Sequence, residues 1–253
     1  MRSSLNLYKN NLNTSFTYII ESMKVIYRFY DGNNAKHNFP FLEKFKTLEQ
    51  FLHVFKGYDV RVIADNLQQP DSLARLQTML PSNKIIQTSL GSGGSCLFAV
   101  RYAIQHFSDN EKVYLVEDDY IHDQDAPIII EQGLRIADFS TGYDHPDKYM
   151  NPSPNTFVKG GGEETKVLLT QSRHWKYTNS TTMTFATSVK VLKEEIQLFE
   201  RFCSGKYADD WTLFLELSKK NRKVVSPIPG CSTHGEVLFA CPFKNWEVIY
   251  KRR

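Results

Sequence analysis

Three consecutive acids, Glu117, Asp118 and Asp119, follow the apolar stretch Val113–Val116 and precede a turn. Successive side chains of an extended chain alternate, so Glu117 and Asp119 share one side and Asp118 points away from them. Two converging carboxylates suit a hard divalent cation with oxygen ligands, Mg²⁺ or Mn²⁺, which can also hold a diphosphate. The alternative is an acidic turn that caps the next segment and faces water.

The elements around these acids favour the metal site. From Lys24 onward the chain alternates strand and helix patterns. Strands are predicted at 24–30, 59–64, 84–88 and 112–117, and helices at 47–55, 70–80 and 97–107. Such repeats with short apolar strands indicate an α/β fold, a parallel sheet with helices on both faces. Ligands of these sheets bind beyond the carboxyl ends of the strands, which is where the acids lie.

The second half of the chain has a mixed pattern and no internal repeat. A helix is predicted at 127–137, strands at 166–171, 180–187 and 223–230, and helices at about 188–202 and 208–220. The pattern changes abruptly at Met23, so residues 1–22 are expected to be an extension outside the main fold. We expect the remainder, 23–253, to form a single domain.

Two further groups of residues could bind a ligand or could serve only the backbone. Gly93 and Gly94 belong to "GSGGS", which precedes a helix and could let backbone N–H groups approach a nucleotide closely. No Gly-Lys-Ser/Thr follows them, so this is not a Walker loop. Asp209 and Asp210 open an amphipathic helix, where either acid can act as the N-cap. For all four residues the alternative remains open that they only form a turn or cap a helix.

The acidic triplet resembles the DxD motif of nucleotide-sugar glycosyltransferases of the GT-A fold, whose nucleotide-binding half the four β-α units also resemble. The match continues through "YDHPDKY" (143–149), "HWKYTNSTTMTFA" (174–186) and "YADDW" (207–211). Together these segments resemble small glycosyltransferases of large algal viruses (chloroviruses) that build capsid glycans. The resemblance covers roughly 24–236. It implies a nucleotide-binding half at about 23–122 and an acceptor and catalytic half at 123–253.

The resemblance also implies roles for the acids. Asp119, the last acid of the motif, would bind the metal, with Glu117 as a second ligand. Glu117 stands where the family has an aspartate, so its longer side chain leaves open whether the contact is direct or through water. His234 would complete the metal sphere from the C-terminal segment. Asp210 matches the "xED" element of inverting enzymes, whose acid is the general base, and Asp209 would cap the helix or share that role.

The remaining candidates follow from the same resemblance. Those for binding the nucleotide base, ribose and phosphates are Arg28, Tyr30, Asp31, Asp65, Gly93, Gly94 and Asp118. Those for binding the acceptor or sugar are Asp144, His145, Trp175, Asn179 and Thr181. Trp175 would stack on a sugar face while Asn179 and Thr181 bond its hydroxyls, although a tryptophan is as readily a core anchor. Asp118 is expected to be the least sensitive acid of the triplet.

Composition excludes several classes of protein. Apolar content of 41% and charged content of 23% are ordinary for a soluble globular protein. The net charge of +3 comes from scattered basic residues, which gives no reason to expect nucleic-acid binding. The four cysteines lack metal-binding spacing, so reduced thiols are expected. The N-terminus lacks the apolar core of a signal peptide, and no segment has the length of a membrane span, which suggests a cytoplasmic protein, in the host cytoplasm if viral.

These observations predict a metal-dependent glycosyltransferase that is inverting by resemblance. It would transfer a sugar from a nucleotide-diphosphate sugar, a UDP-sugar such as UDP-xylose, to a hydroxyl of a glycan or glycoprotein. A metal-dependent nucleotidyltransferase or phosphohydrolase also gathers acids at strand ends and is the second hypothesis. A non-catalytic nucleotide-sugar-binding module is the third. The sequence does not determine the oligomeric state.

Overall fold

Four parallel strands build the first side of the sheet. The computed structural model describes residues 23–32 and 38–252, so the predicted extension at 1–22 lies outside the described residues. The strands are β1 (Lys24–Phe29), β2 (Asp59–Asp65), β3 (Ile85–Thr88) and β4 (Lys112–Glu117). They pair in the order β3-β2-β1-β4, and every pair is parallel. Their carboxyl ends therefore meet at one edge of the sheet, as the sequence predicts.

Five further strands extend the sheet beyond β4. They are β6 (Phe139–Ser140), β7 (Val167–Leu169), β8 (His174–Thr178), β9 (Phe185–Ser188) and β10 (Val224–Ile228). The full order is β3-β2-β1-β4-β9-β6-β10-β8-β7, and only β8 and β9 run against the other strands. The predicted α/β class with a mostly parallel sheet is confirmed. A nine-stranded sheet runs through both predicted halves of the chain.

Helices cover both faces of this sheet. They are α1 (Lys44–Val54), α2 (Ser72–Met79), α3 (Gly91–His106), α4 (Ala126–Gly133), α5 (Val189–Phe202), α6 (Asp210–Lys219) and α7 (Trp246–Lys251). One apolar core holds residues of α1, α2, α4 and α7, and a second core holds residues of α3, α5 and α6. Alternating strand side chains supply both cores: Val25 and Tyr27 belong to the first, and Ile26 to the second. None of the helices within 23–32 and 38–252 combines the length and apolar content needed to cross a bilayer.

A separate two-stranded ribbon sits at the carboxyl edge of β4. Strand β5 (Tyr120–His122) follows the acidic triplet directly and pairs antiparallel with β11 (Ser232–His234). The register places His234 opposite Tyr120. Because Tyr120 is the neighbour of Asp119, this pairing brings the C-terminal segment to the acids.

Candidate active site

A cleft of about 790 Å³ opens at the carboxyl ends of β1, β2 and β4. The first turn of α3 and the loop before α6 complete its walls. Its lining residues are Arg28, Phe29, Tyr30, Asp65, Asn66, Gln68, Gly91, Ser92, Ser95, Glu117, Asp118, Asp119, Lys206 and Tyr207. The cleft is large enough for a ligand of nucleotide-sugar size and lies where open α/β sheets bind their ligands.

Arg28 holds the first acid of the triplet in place. Its Nη2 donates to Glu117 Oε1 at 2.8 Å, while Nη1 donates to the Ser92 carbonyl at 3.0 Å and lies 3.4 Å from Ser95 Oγ. The Glu117 backbone N–H donates to Thr184 Oγ1 at 3.0 Å. Arg28 is buried, so the guanidinium predicted to meet a nucleobase instead ties β4 to the start of α3.

Asp118 occupies a buried position between two other elements. Its Oδ2 accepts a hydrogen bond from the Tyr30 backbone N–H at 2.6 Å, and its Oδ1 accepts one from Lys44 Nζ at 2.5 Å. Burial raises the pKa of the Asp118 carboxyl, although the ammonium of Lys44 opposes this. Asp118 lines the cleft and does not point away from it, because its carboxylate joins the end of β1 to the start of α1. That it is the least sensitive acid of the triplet stays a prediction.

Lys44 is a cation of this site that the sequence did not reveal. Burial by itself would lower the pKa of its ammonium, but Asp118, Asp119 and Glu117 outweigh burial and raise that pKa. Lys44 is the first residue of α1 and follows an irregular segment. A single lysine at such a position gives no sequence pattern that would predict a role in the site. Only the packing of α1 against β5 brings it to the acids.

Asp119, which lines the cleft, lies against His234. His234 Nε2 lies 3.2 Å from Asp119 Oδ2, and His234 Nδ1 lies 3.6 Å from Glu236 Oε2. Both members of the pair are buried, and the Tyr120 ring packs 5.2 Å from the imidazole. The β5–β11 pairing therefore places together two of the three residues that the resemblance assigns to a metal, Asp119 and His234.

Asp119 and His234 could together supply two protein ligands to a metal ion. Within residues 23–32 and 38–252, no group of three or more His, Cys, Asp or Glu side chains is arranged to hold a metal ion. Mg²⁺-type sites commonly use one or two protein ligands and take the remaining ligands from substrate phosphates and water. A carboxylate and an imidazole beside an open cleft fit that kind of site. Glu117 is committed to Arg28 at 2.8 Å.

A buried histidine anchors the ribbon that carries this pair. His122 Nε2 lies 2.8 Å from the Tyr114 hydroxyl, and the rings of Phe51 and Phe55 meet the imidazole edge-on. The His122 carbonyl accepts a hydrogen bond from Gln50 Nε2 at 2.6 Å. Burial lowers the pKa of His122 to about 3, so the ring is neutral in the folded protein at neutral pH.

We expect acid to weaken the fold through His122. Its ordinary pKa is 6.5 and its pKa in the folded protein is about 3, so between these values the unfolded chain binds more protons. The free energy of unfolding then falls with decreasing pH, by up to roughly 1.4 kcal/mol per pH unit from this residue. In urea titrations between pH 4 and 7, His122→Gln should show a flatter pH dependence than the wild type. Exposed His106→Asn serves as the control, and equal slopes for wild type and His122→Gln would contradict the expectation.

Asp31, which follows β1, and Asp65, which ends β2, accept hydrogen bonds from neighbouring loops. Asp31 accepts hydrogen bonds from the backbone N–H groups of Gln68 and Gln69, at 2.7 and 2.9 Å, and from the Ser72 hydroxyl. Asp65 Oδ1 accepts bonds from Thr88 Oγ1 at 2.8 Å and from the Leu90 backbone N–H at 2.7 Å. Asp65 still lines the cleft, but Asp31 is occupied beneath the loop that carries Gln68.

Part of the glycine-rich segment lines the cleft, and the rest packs against other parts of the protein. Gly91, with φ +74°, and Ser92 line the cleft at the start of α3. Gly93 packs against the 203–206 loop, where an added Cβ would lie 2.1 Å from the Gly205 carbonyl oxygen, and an added Cβ on Gly94 would lie 2.9 Å from Leu90 Cβ. The prediction that Gly93 and Gly94 allow a nucleotide to approach is wrong for these two positions, because protein atoms occupy that space.

Asp209 and Asp210 begin α6 just beyond the cleft. Asp209 is the N-cap, and its Oδ1 accepts a hydrogen bond from the Thr212 backbone N–H at 3.0 Å. Asp210 is the first helical residue, and its Oδ1 accepts a bond from the Trp211 backbone N–H at 2.7 Å. The lining of the cleft reaches Tyr207, two residues before Asp209. The N-terminus of α6 stabilises negative charge on both acids.

Two of the predicted acceptor residues lie in a buried polar network. Asp144 is fully buried, and both of its oxygens lie 2.8 Å from the Tyr149 hydroxyl. Lys176 Nζ pairs with Asp144 at 3.0 Å. His145 Nδ1 lies 2.8 Å from Asp147 Oδ1. Asp144 therefore supports the loop from within, and the prediction that it contacts an acceptor is wrong in this structure.

The other predicted acceptor residues are also largely turned inward. Trp175 is fully buried on β8, and its Nε1 donates to Thr170 Oγ1 at 2.9 Å. The prediction that it stacks on a sugar is wrong, because no ring face is accessible, and the core-anchor alternative applies. Asn179 Oδ1 accepts from Lys148 Nζ at 2.8 Å, and the Thr181 side chain is buried.

Comparison with known proteins finds structures of similar fold but assigns the chain to no family. The sequence matches no protein-family model, and no curated protein is significantly similar to it. A putative glucose-1-phosphate thymidylyltransferase from Bacillus anthracis is 14% identical with a TM-score of 0.49, covering 86% of this chain and 92% of that chain. A nucleotidyl transferase from Methanothermobacter thermautotroptrophicus is 10% identical with a TM-score of 0.43, covering 80% and 86%.

A third solved structure gives a similar result. The 4-diphosphocytidyl-2C-methyl-D-erythritol synthase from Anaerococcus prevotii is 11% identical with a TM-score of 0.42, covering 81% of this chain and 87% of that chain. Proteins with one architecture host many activities, and these values are too low to transfer one. None of the three bears on the resemblance to algal-virus enzymes. What this chain does must therefore be argued from its own site.

Proposed function

We propose that this protein is a divalent-metal-dependent glycosyltransferase that takes its sugar from a nucleotide-diphosphate donor. The observation that carries the proposal is the pairing of Asp119 with His234, 3.2 Å apart beside a cleft of about 790 Å³. A carboxylate and an imidazole from segments far apart in sequence meet where the resemblance to GT-A enzymes expects Mn²⁺ or Mg²⁺. When bound, that ion would neutralise charge on the donor diphosphate.

The charges of the cleft support a need for a cation. Four acids line it, namely Asp65, Glu117, Asp118 and Asp119, against the cations Arg28, Lys206 and the adjoining Lys44. Arg28 and Lys44 are bound to Glu117 and Asp118. A diphosphate entering this cleft therefore meets an excess of negative charge, which disfavours its binding unless a cation accompanies it.

The chain's own residues would then divide the work. Asp119 and His234 hold the cation, and Arg28 and Lys44 fix the acidic triplet that presents it. Asp210, at the positive end of α6, would take the proton from the acceptor hydroxyl as that oxygen attacks the anomeric carbon and the bond from that carbon to the nucleoside diphosphate breaks. A single displacement of this kind inverts the anomeric configuration. The donor as a UDP-sugar, UDP-xylose among them, and the acceptor as a glycan or glycoprotein rest on the family resemblance.

The direct test is the product formed from candidate substrates. Purified protein incubated with a panel of nucleotide sugars should transfer the sugar slowly to water, which releases free sugar and nucleoside diphosphate. This release should occur with Mn²⁺ or Mg²⁺ and not with EDTA, as measured by anion-exchange chromatography. A nucleotidyltransferase would instead release pyrophosphate from a nucleoside triphosphate and a sugar 1-phosphate. Pyrophosphate release without release of nucleoside diphosphate would overturn the proposal in favour of that second hypothesis. Donor binding without any chemistry would favour the binding module.

A matched pair of substitutions tests the proposed base. We expect Asp210→Asn to lower the transfer rate by about 10²- to 10⁴-fold, the usual contribution of a general base, while binding of nucleoside diphosphate with Mn²⁺ is kept. Asp209→Asn removes the same charge from the same helix start and leaves a good capping side chain. It should therefore change the rate little. Equal losses in the two variants would indicate an effect of local charge and contradict the role of Asp210.

A further inference from the structure

A second, smaller cleft runs along one side of α6. It has a volume of about 330 Å³, and its lining includes Phe157, Tyr177, Leu215 and Ser218. Leu215 and Ser218 follow Trp211 by four and seven residues, a spacing that places all three on one face of the helix. The helix face that starts beside Asp210 therefore continues into this cleft.

Aromatic rings connect the second cleft to the start of α6. Phe157 is 61% exposed, which is unusual for so large an apolar side chain, and its ring centroid lies 6.0 Å from that of Trp211. Trp211 is half-buried, and its backbone N–H donates to Asp210 Oδ1 at 2.7 Å. Lys148 Nζ lies 5.7 Å from the Trp211 ring centre. An exposed aromatic surface thus begins next to the proposed base.

The chemistry of the lining matches a saccharide. Sugar rings present apolar C–H faces, which rest on aromatic rings, and a border of hydroxyl groups, which bond planar polar side chains. Here Phe157 and Tyr177 supply rings, while the exposed Glu164 supplies a carboxylate at the same cleft. The Ser218 side chain adds a hydroxyl on the helix side.

Helix geometry sets how far this cleft lies from the reacting atoms. Eight residues separate Asp210 from Ser218, which corresponds to about 12 Å along the axis of α6. That span exceeds one sugar ring. A saccharide in the second cleft would therefore present units remote from the hydroxyl that Asp210 deprotonates.

We propose that the cleft along α6, with Phe157 at its entrance, binds the distal units of an oligosaccharide acceptor. The inference rests on the proposed glycosyltransferase function and extends it, because it names an extended glycan as the acceptor and Phe157 as a specificity residue. The predicted acceptor residue Trp175 is buried in the core, whereas Phe157 and Trp211 offer accessible rings.

An array of immobilised oligosaccharides, from disaccharides to hexasaccharides, tests the proposal with fluorescently labelled protein. The wild type should retain a related set of the longer glycans. Phe157→Ala should bind that set about tenfold more weakly, since it loses the stacking surface. Ser218→Trp should also lose binding by filling the cleft. Phe243→Ala, which removes an 88% exposed aromatic ring from the C-terminal segment, is the matched control and should bind as the wild type does.

A second readout comes from the tryptophans. Of the three, Trp175 and Trp246 are buried and Trp211 is half-buried, so a change in emission on adding a glycan from the array reports on Trp211. The proposal is overturned if the wild type retains no glycan, or if Phe157→Ala and Ser218→Trp bind as the wild type does. Metal-dependent hydrolysis of the nucleotide sugar uses water in place of the glycan, so the absence of nucleoside diphosphate release with Mn²⁺ would refute the proposed function independently of the array.

Discussion

Replacing Asp119 with asparagine should nearly abolish metal-dependent release of nucleoside diphosphate from a nucleotide sugar. The substitution preserves shape and a hydrogen bond toward His234 but removes the negative charge that would hold the cation. A metal ion contributes several kcal/mol of charge stabilisation to such a reaction, so we expect a loss of roughly 100-fold or more. The initial rate should be measured across Mn²⁺ concentrations, with nucleoside diphosphate quantified by chromatography.

Asp123→Asn is the matched control for this experiment. Asp123 lies four residues further along the same segment and pairs with Lys244 at 2.7 Å, outside the lining of the cleft. Its replacement should leave the rate and its Mn²⁺ dependence close to those of the wild type. His234→Ala should raise the Mn²⁺ concentration needed for half-maximal rate. A normal rate for Asp119→Asn in the presence of EDTA would refute the metal site.

The largest loss of stability is expected at Asp118. Asp118→Ala leaves the buried Lys44 ammonium without its carboxylate and the Tyr30 backbone N–H without its acceptor. Removing one partner of a buried ion pair typically costs about 3–5 kcal/mol, because the remaining charge stays desolvated. We expect a decrease of that order in the free energy of unfolding, measured by urea titration at pH 7.

Two further variants separate this ion pair from a general effect of mutation. Lys44→Met combined with Asp118→Asn removes both charges and keeps a polar acceptor for Tyr30, so it should recover much of the loss. Lys46→Met breaks a pair with Glu43 in which Lys46 is 60% exposed, and it should leave the free energy of unfolding close to that of the wild type. A loss below about 1 kcal/mol for Asp118→Ala would contradict the role assigned to this carboxylate.

The first half of the fold can be predicted from sequence because strands that are buried on both faces of the sheet are rich in apolar residues. The strands at 24–29, 59–65, 85–88 and 112–117 are short segments rich in apolar residues, and each lies within two residues of its predicted limits. The second half is harder. No strand is predicted over β8 (His174–Thr178), whose charged residues are paired by long-range contacts such as Lys176 with Asp144.

Residues 180–184 show why a strand pattern can mislead. They are rich in β-branched hydroxyl residues, which favour strands, and the predicted strand at 180–187 includes them. In the structure only Phe185–Ser188 is a strand. Thr182 Oγ1 instead lies 2.6 Å from the Tyr120 hydroxyl, and Thr184 Oγ1 accepts the Glu117 N–H. Side-chain bonds to the acidic segment replace the ladder here, and such bonds leave no periodic signal.

Some residues of the candidate site could likewise be predicted from sequence, and others could not. Asp119 and His234 could be named because motifs record residue types in order along the chain. Arg28 and Lys44 could not be assigned their roles, since each acts through a partner more than 70 residues away. Trp175 was misplaced for a related reason. A tryptophan beside polar residues looks like a sugar platform, and only the packing of β8 under α4 shows that its ring is enclosed.

The β5–β11 ribbon has a consequence for the order in which the candidate site can form during synthesis. Asp119 and His234 are 115 positions apart in sequence, whereas most of the sheet is built from residues that precede Ser232. During synthesis the cleft can therefore form before the imidazole has left the ribosome. We expect a nascent chain to form β1–β4 first and to bring His234 to Asp119 only as one of its later long-range contacts. Activity that depends on the proposed metal site would thus require that synthesis and folding have reached β11.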